Sequence, residues 1–315
     1  MMCAESQLQE IVYDLAVSPD FEEDGLCFAA RASGLYRSED GGRSWQDAYA
    51  SLELSAALTT SVVVVSPGFE TDRSVFAGVP GGVLRSADAG QSWQVASFPP
   101  PAPFVSSLVI SPNYARDGTL FVGTLEDGVF RSGDRGTHWA AWNFGLLDLN
   151  VLALGVSPDY GRDETLFAGT ESGIFRSRNG GRAWREVDFD SEWAPVLSLA
   201  LSPGYAEDGT LFAGSETHGL LRTEDEGATW QRLAEEPLSG ALNSIILAPD
   251  FAERGEVLVL HEDGLWVTRD GGQTWTVWPS REAMAAGVAS LATPRGLAPG
   301  APLLVGLMDG SVLHI

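Results

Sequence analysis

Eight residues, Ser38-Glu39-Asp40-Gly41-Gly42-Arg43-Ser44-Trp45, return five more times along the chain, and nothing else in the sequence constrains the fold as tightly. The returns are SADAGQSW ending at Trp93, SGDRGTHW at Trp139, SRNGGRAW at Trp184, TEDEGATW at Trp230 and TRDGGQTW at Trp275. Successive tryptophans stand 48, 46, 45, 46 and 45 residues apart. A side chain needed once for chemistry is not needed six times, whereas a repeat of about 45 residues is a length expected of one propeller blade.

A second marker recurs seven times as a proline closing a short apolar run: IVYDLAVSP to Pro19, SVVVVSP to Pro67, SSLVISP to Pro112, VLALGVSP to Pro158, VLSLALSP to Pro203, LNSIILAP to Pro249 and VASLATP to Pro294. The apolar residues hardly alternate, so each run reads as a strand buried on both faces, ended by a residue that cannot donate to a ladder. A second run such as LFVGT or LFAGT follows, then a third opening at glycine such as GVFRS, then a fourth at the tryptophan, as in TWQRL. Four short strands separated by turn residues form an antiparallel meander. Seven such units fill the sequence and predict an all-β, seven-bladed β-propeller forming a single domain over residues 1–315.

The ends of the sequence predict how the ring closes. From the second box onward, each tryptophan precedes the next strand-ending proline by 19 residues, so the position equivalent to it before Pro19 falls just ahead of Met1. The third strand of the last unit ends at Ser311 to Ile315. Residues 1–9 are therefore expected to supply the outer strand of blade 7, leaving no open edge.

Read as [ST]-x-[DN]-x-G-x-[STA]-W, with His138 in place of the usual hydroxyl in the third, the boxes resemble the Asp-box (BNR) repeats of sialidases, xyloglucanases, sortilin-type receptors and photosystem assembly factors. The resemblance implies the fold and leaves activity open, since these families share the repeat and differ in what they do. In such a turn the Asp side chain accepts backbone N–H groups, glycine supplies a positive φ and the indole folds back as an anchor. Asp40, Asp88, Asp134, Asn179, Asp225 and Asp270, with Trp45, Trp93, Trp139, Trp184, Trp230 and Trp275, are expected to be structural. Arg37, Arg85, Arg131, Arg176 and Arg222 share one strand position, and each is expected to pair with a carboxylate or stack on an aromatic ring.

Charge narrows the choice of partner. With 43 acidic and 19 basic residues the net charge is −24, which disfavours nucleic acid and anionic membrane and favours a protein or a neutral or cationic ligand. Every basic residue is arginine, so a P-loop lysine, a Schiff-base lysine and an SxxK acylase are excluded. No GxGxxG fingerprint occurs, and neither a cofactor nor a bound metal is expected. The first residues, MMCAESQLQEIV, lack the pattern of a signal peptide and no apolar run reaches the length of a membrane span, so a cytoplasmic monomer is the expectation. Cys3 and Cys27 are two thiols on different blades, not a disulfide framework.

Binding groups belong where the repeat stops repeating. The first-to-second and third-to-fourth turns carry the consensus at one end of a meander. The opposite end receives the second-to-third turns and the connections between blades, which differ from blade to blade. That variable end holds Glu126, Asp127, Glu171, Glu216, His218, His261, Glu262, Asp263 and Asp309 in turns, and Trp142, Phe144, Phe189, Asp190, Glu192, Trp193 and Trp278 in connections. Trp142, Glu171, Asp190, Trp193, Glu216, His218, His261 and Trp278 are the candidate ligand-binding residues, because aromatic platforms beside carboxylates suit sugar rings and organic cations. A plainer role for the spare tryptophans is to plug gaps between blades.

A sialidase requires an arginine cluster gripping a carboxylate, and this end offers only Arg31 and Arg281, so that activity is rejected. Xyloglucanase-like hydrolysis needs two opposed carboxylates about 5 to 9.5 Å apart, for which Asp190 with Glu171 or Glu216 are the candidates. His218 and His261, in equivalent turns of adjacent blades, are candidates for a metal site with Glu216 and Glu262, although their spacing is not diagnostic. No GxSxG elbow supports a Ser-His-Asp triad. The expected function is a non-catalytic binding or assembly module, with glycoside hydrolysis as the alternative.

Overall fold

The computed structural model describes residues 10–234, 236–278, 287–298 and 300–315. Seven antiparallel sheets follow one another along the chain; six contain four strands in meander order, and the seventh contributes three among the described residues. Blade 1 runs from Val12–Val17 through Cys27–Arg31 and Gly34–Ser38 to Gln46–Asp47, and the same order repeats through blade 6, which ends at Thr276–Val277. Blade 7 is built from Val288–Ala292, Leu304–Leu307 and Val312–His314. First strands pack against one another from blade 1 through blade 6, blade 6 meets blade 7 through Val257–His261 and Val288–Ala292, and the first strand of blade 7 returns to that of blade 1. The sheets thus form a closed ring, a seven-bladed β-propeller.

The expected outer strand from residues 1–9, and Cys3 within it, lie outside the described residues. Among the described residues closure rests on Val12, Leu15, Cys27, Ala292 and Leu304 in one apolar cluster, and on Ser290, whose hydroxyl donates to the Val12 carbonyl at 2.7 Å. Burial within this cluster pushes the Cys27 thiol up to about 12, making it a packing residue, not a nucleophile.

Burial differs from the sequence expectation in one respect. The proline-ended strands are only partly buried, as in blade 1 (Val12–Val17) and blade 5 (Val196–Leu201), whereas Leu166–Thr170 and Leu211–Ser215 are buried at every position. The first strand lines the inside of the ring with one face, while the second is covered by the blades on both sides. A continuous apolar run records the absence of bulk solvent, not the completeness of packing.

Two repeated turns share one end of the ring. In the third-to-fourth turns the acid accepts backbone N–H groups as expected: Asp40 from Arg43 and Ser44, both at 2.9 Å, and Asp270 from Gln273 at 3.0 and Thr274 at 2.9 Å. His138 fills the missing hydroxyl's place with Nδ1 at 2.6 Å from the second carboxylate oxygen of Asp134. Gly42, Gly90, Gly136, Gly181, Gly227 and Gly272 have φ between 80° and 95°. A second motif, Ser-Pro-x-aromatic-x-x-Asp, builds the first-to-second turns of blades 1 to 5. There the serine hydroxyl donates to an aspartate six residues on, from Ser18 to Asp24 and likewise from Ser66, Ser111, Ser157 and Ser202, at 2.6 to 2.7 Å. The two turns are stitched together within each blade, as where Gly41 N–H donates to Gly25 and Arg135 N–H to Gly118.

Blades interlock through the same positions. The aromatic of the first-to-second turn, which opens with Ala248-Pro249 in blade 6, meets the preceding blade's phenylalanine edge-on, in Phe76–Tyr114, Phe121–Tyr160, Phe167–Tyr205 and Phe212–Phe251, with centroids 5.6 to 5.9 Å apart. The repeated arginines cross to the next blade's turn: Arg37 donates to Ala89 O, Arg176 to Glu226 O and Arg222 to Gly271 O. Arg131 instead stacks on Trp142, 4.5 Å from the ring centre. Trp93 and Trp184 are buried, and their indoles donate to Ala48 O and Trp142 O of the preceding blade. Trp45, Trp139, Trp230 and Trp275 are only half-buried. Among the described residues no helix is long and apolar enough to cross a membrane.

Candidate functional site

The variable end is built from the second-to-third turns and the connections, and each candidate residue there has a definite anchorage. Glu171, at the turn of blade 4, is exposed; its N–H donates to Asn150 O at 3.3 Å and its carboxylate accepts from Asn150 Nδ2 at 3.2 Å. Glu216, at the turn of blade 5, is exposed, and its N–H donates to Pro195 O. Asp190 caps the short 3-10 helix Ser191–Trp193 by accepting the Glu192 N–H at 3.0 Å. Trp193 is half-buried, edge-on to Phe189 at 5.7 Å, which in turn meets Trp230 at 5.3 Å. Glu171 and Glu216 are tied to the neighbouring connection through Asn150 and Pro195, Asp190 bonds within its own connection, and none of these carboxylates hydrogen-bonds another candidate. Of the two arginines at this end, Arg31 stacks on Tyr36, 4.5 Å from the ring centre, and Arg281 lies outside the described residues.

The two histidines are also committed separately. His261 is buried; its Nε2 donates to Ser239 O at 2.8 Å while its Nδ1 accepts from the Asp263 N–H at 3.2 Å, which leaves neither nitrogen for a metal. Glu262 and Asp263 stand close to it, and among the described residues this is the only grouping of three such side chains, so the ring nitrogens' engagement removes the metal reading there. His218 pairs its Nδ1 with the neighbouring Thr217 hydroxyl at 2.7 Å. The structure does not bring the two imidazoles into one cluster.

Two of the three spare tryptophans are blade plugs. Trp278 is buried among Leu258, Leu265, Leu291, Val305 and Leu307, between blades 6 and 7. Trp142 extends the outer strand of blade 3 through its N–H to Val129 O, and its ring lies between Arg131 and Arg182, with centroid distances of 4.5 and 5.7 Å. Both occupy the third position after the repeated tryptophan, where Ala48, Val187 and Leu233 stand in other blades. That equivalence is visible in the sequence as a spacing. Trp193 alone of the three remains beside the variable end.

A depression of 440 Å³ lies at this end beneath the blade 1–2 connection, lined by Ser33, Asp47, Tyr49, Glu53 and Leu58. A cleft of 460 Å³ opens instead on the outer flank between blades 4 and 5, lined by Arg176, Arg178, Arg185, Glu186 and Asp188 beside Asn179. Arg176 and Arg178 both engage Glu226 there, so the cleft's charges are largely balanced within the protein.

The connection between blades 3 and 4 stands out in the structure more than in the sequence. Phe144 and Leu147 are each 80% exposed, and Leu149 is 37% exposed. Phe144 is one of the aromatics of this end, but Leu147 carries no periodic signal.

No protein-family model matches the chain, and no curated protein matches it significantly. Solved structures share the fold. A GH74 xyloglucanase from Xanthomonas campestris superimposes with a TM-score of 0.74 at 17% identity, covering 97% of this chain and 52% of its own, so this chain spans about half of that enzyme. YCF48 bound to a D1 peptide gives 0.71 at 16% identity, covering 98% of this chain and 94% of its own. YCF48 from Cyanidioschyzon merolae gives 0.68 at 13% identity, covering 98% and 96%. The chain is thus similar in fold to both catalytic and peptide-bound propellers.

Proposed function

We propose that this chain is a non-catalytic binding propeller, built on Asp-box repeats, that presents its variable end to a protein partner. The observation that carries this reading is the placement of the candidate carboxylates on three separate segments, with no hydrogen bond joining any two of them. Glycoside hydrolysis by either stereochemical course needs two opposed carboxyl groups about 5 to 9.5 Å apart across one cleft. Glu171 is tied to Asn150, Asp190 caps its own short helix and Glu216 stands on a third segment, while Trp142 and Trp278 pack between blades and leave Trp193 as the one candidate tryptophan beside this end. The 94% and 96% coverage of the YCF48 chains, one of them peptide-bound, supports the same reading, because those propellers match this chain in extent.

Hydrolysis of xyloglucan and of neutral β-glucans, followed by reducing-end release, tests the proposal against its alternative. No release is expected. Turnover that disappears in both Asp190→Asn and either Glu171→Gln or Glu216→Gln overturns the binding reading.

A further inference from the structure

Building on the variable end as the binding face, we infer that the connection between blades 3 and 4 is a preformed docking knuckle for a protein segment carrying apolar side chains flanked by arginine or lysine. Phe144 and Leu147 are the two most exposed large apolar side chains among the described residues, both at 80%, and they share one loop of eight residues, 143–150. Scattered exposed apolar residues need no explanation. This pair differs because the loop has no slack that would account for it.

Nearly every part of the loop is fixed from one side. Asn143 accepts the Val129 N–H and donates to Asp127 O, both at 2.8 Å. Phe144 O accepts the Trp184 N–H at 2.8 Å, and Leu149 O accepts the Gly128 N–H at 2.9 Å. Gly145, at φ +79°, lies so close to Trp184 O that an added Cβ would stand 2.3 Å from it. Leu146 is buried with Val129, Val151 and Trp184 and pins the centre of the loop. Asp148 accepts the N–H groups of Asn150 and Ser172 with its two oxygens. A backbone tied at this many points presents Phe144 and Leu147 in a fixed geometry, which lowers the ordering cost of binding.

Charge selects the occupant. The loop 143–150 and the adjoining turns 125–128 and 170–173 contain Glu126, Asp127, Asp148 and Glu171, and no arginine or histidine; the strand beside Phe144 adds one residue of each sign, Arg185 and Glu186, so the rim is acidic on balance. An apolar partner segment with basic flanks gains on both counts. A second copy of this chain is disfavoured, because a two-fold contact places the same acidic rim against itself. Anionic lipid and nucleic acid are repelled by the same rim.

The test uses the full chain and a fluorescein-labelled amphipathic peptide of leucine, alanine and arginine, with a counterpart in which glutamate replaces arginine, read by fluorescence anisotropy. The basic peptide should bind, weaken as salt is raised, and lose about tenfold or more in affinity to the double variant Phe144→Ser/Leu147→Ser. The acidic peptide should not bind. Thermal melts of the double variant should match the parent, since both side chains already face water. Equal binding by parent and double variant overturns the inference. If affinity falls instead in Trp193→Ala/Glu216→Gln, the variable end stands as the binding face and only the knuckle fails; if neither variant matters, both fail. Self-association of the parent in sedimentation that disappears in Phe144→Ser/Leu147→Ser also overturns the choice of occupant.

Discussion

Replacing Asp134 by alanine separates scaffold from site most directly. Its carboxylate accepts the N–H groups of Thr137 at 3.1 Å and His138 at 2.9 Å, the Ser132 hydroxyl at 2.9 Å, and approaches the His138 ring nitrogen at 2.6 Å. The side chain is 46% exposed, so water can reach part of what is lost, and the expected cost lies at the lower end of that for abandoned hydrogen-bonding groups, about 1 to 2 kcal/mol. Partial desolvation pushes this carboxyl upward but is outweighed by His138 and Ser132, which bring it down to about 2 from 3.8. A full shift of that size is worth about 2.4 kcal/mol at about 1.36 per unit, and solvent screening of a half-exposed group reduces it to about 1. Because the folded value is depressed, this stability is present above pH 3.8 and is lost as pH falls through about 2. Urea midpoints should therefore show Asp134→Ala clearly destabilised at pH 7 and the difference from the parent shrinking toward pH 2. Glu171→Ala, which loses one exposed 3.2 Å contact, should stay within about 0.5 kcal/mol of the parent. A larger loss for Glu171 than for Asp134 refutes the assignment of architecture to one end and binding to the other.

Trp93→Phe removes the indole donor to Ala48 O at 2.9 Å between blades 1 and 2 and should cost about 2 to 3 kcal/mol in thermal or urea unfolding, more than Trp45→Phe at the half-buried equivalent position. Gly145→Ala forces a Cβ to within 2.3 Å of Trp184 O at a φ of +79°, so it should lower the melting temperature, by an amount equivalent to about 1 to 3 kcal/mol, and move amide signals across residues 143–150. Asp14 lies on the innermost strand of blade 1, where desolvation raises its carboxyl to about 7 against the opposing N–H groups of Val63 and Leu15. Its contribution to stability is fully present below pH 3.8 and is lost as pH rises through about 7, and a carbon-detected NMR titration should place its inflection near 7; an inflection near 4 rules out desolvation as the governing influence.

The sequence was most legible where the same contact is made many times. The repeated aspartate, the positive-φ glycine and the substitution of His138 for a hydroxyl all appear in the structure in the roles their chemistry suggests. The Ser-Pro turn is equally periodic, yet its proline reads simply as the end of a strand; the aspartate six residues after the serine is the other half of the motif, and only the folded turn joins the two. The candidate ligand residues fared differently. Trp142 and Trp278 look unassigned only because alanine, valine and leucine fill their position in other blades, so the repeat conceals a shared packing slot behind changing side chains. His261 gives no sequence sign that Ser239 O and the Asp263 N–H occupy both its nitrogens, since a carbonyl contributed from a connection leaves no residue-type signature.

The distribution of cross-blade contacts explains why the variable end is free to vary. Arginine-to-carbonyl bonds at Ala89, Glu226 and Gly271, the edge-on aromatic pairs, and the bonds joining the two turns of each blade all fall at the repeated end or within the blade cores. Changing a connection at the other end leaves those bonds in place. Bonds that do cross between blades there, such as Ser198 to Leu242 O and Ser290 to Val12 O, end on backbone carbonyls whatever the side chain, so loop composition can change at little cost to the ring. The blade 3–4 connection nevertheless carries its own set of ties, from Asn143 to Val129, from Phe144 to Trp184 and from Asp148 to Ser172. Tying a loop at this many points while leaving Phe144 and Leu147 in water makes sense where a fixed apolar surface is used by something outside the chain.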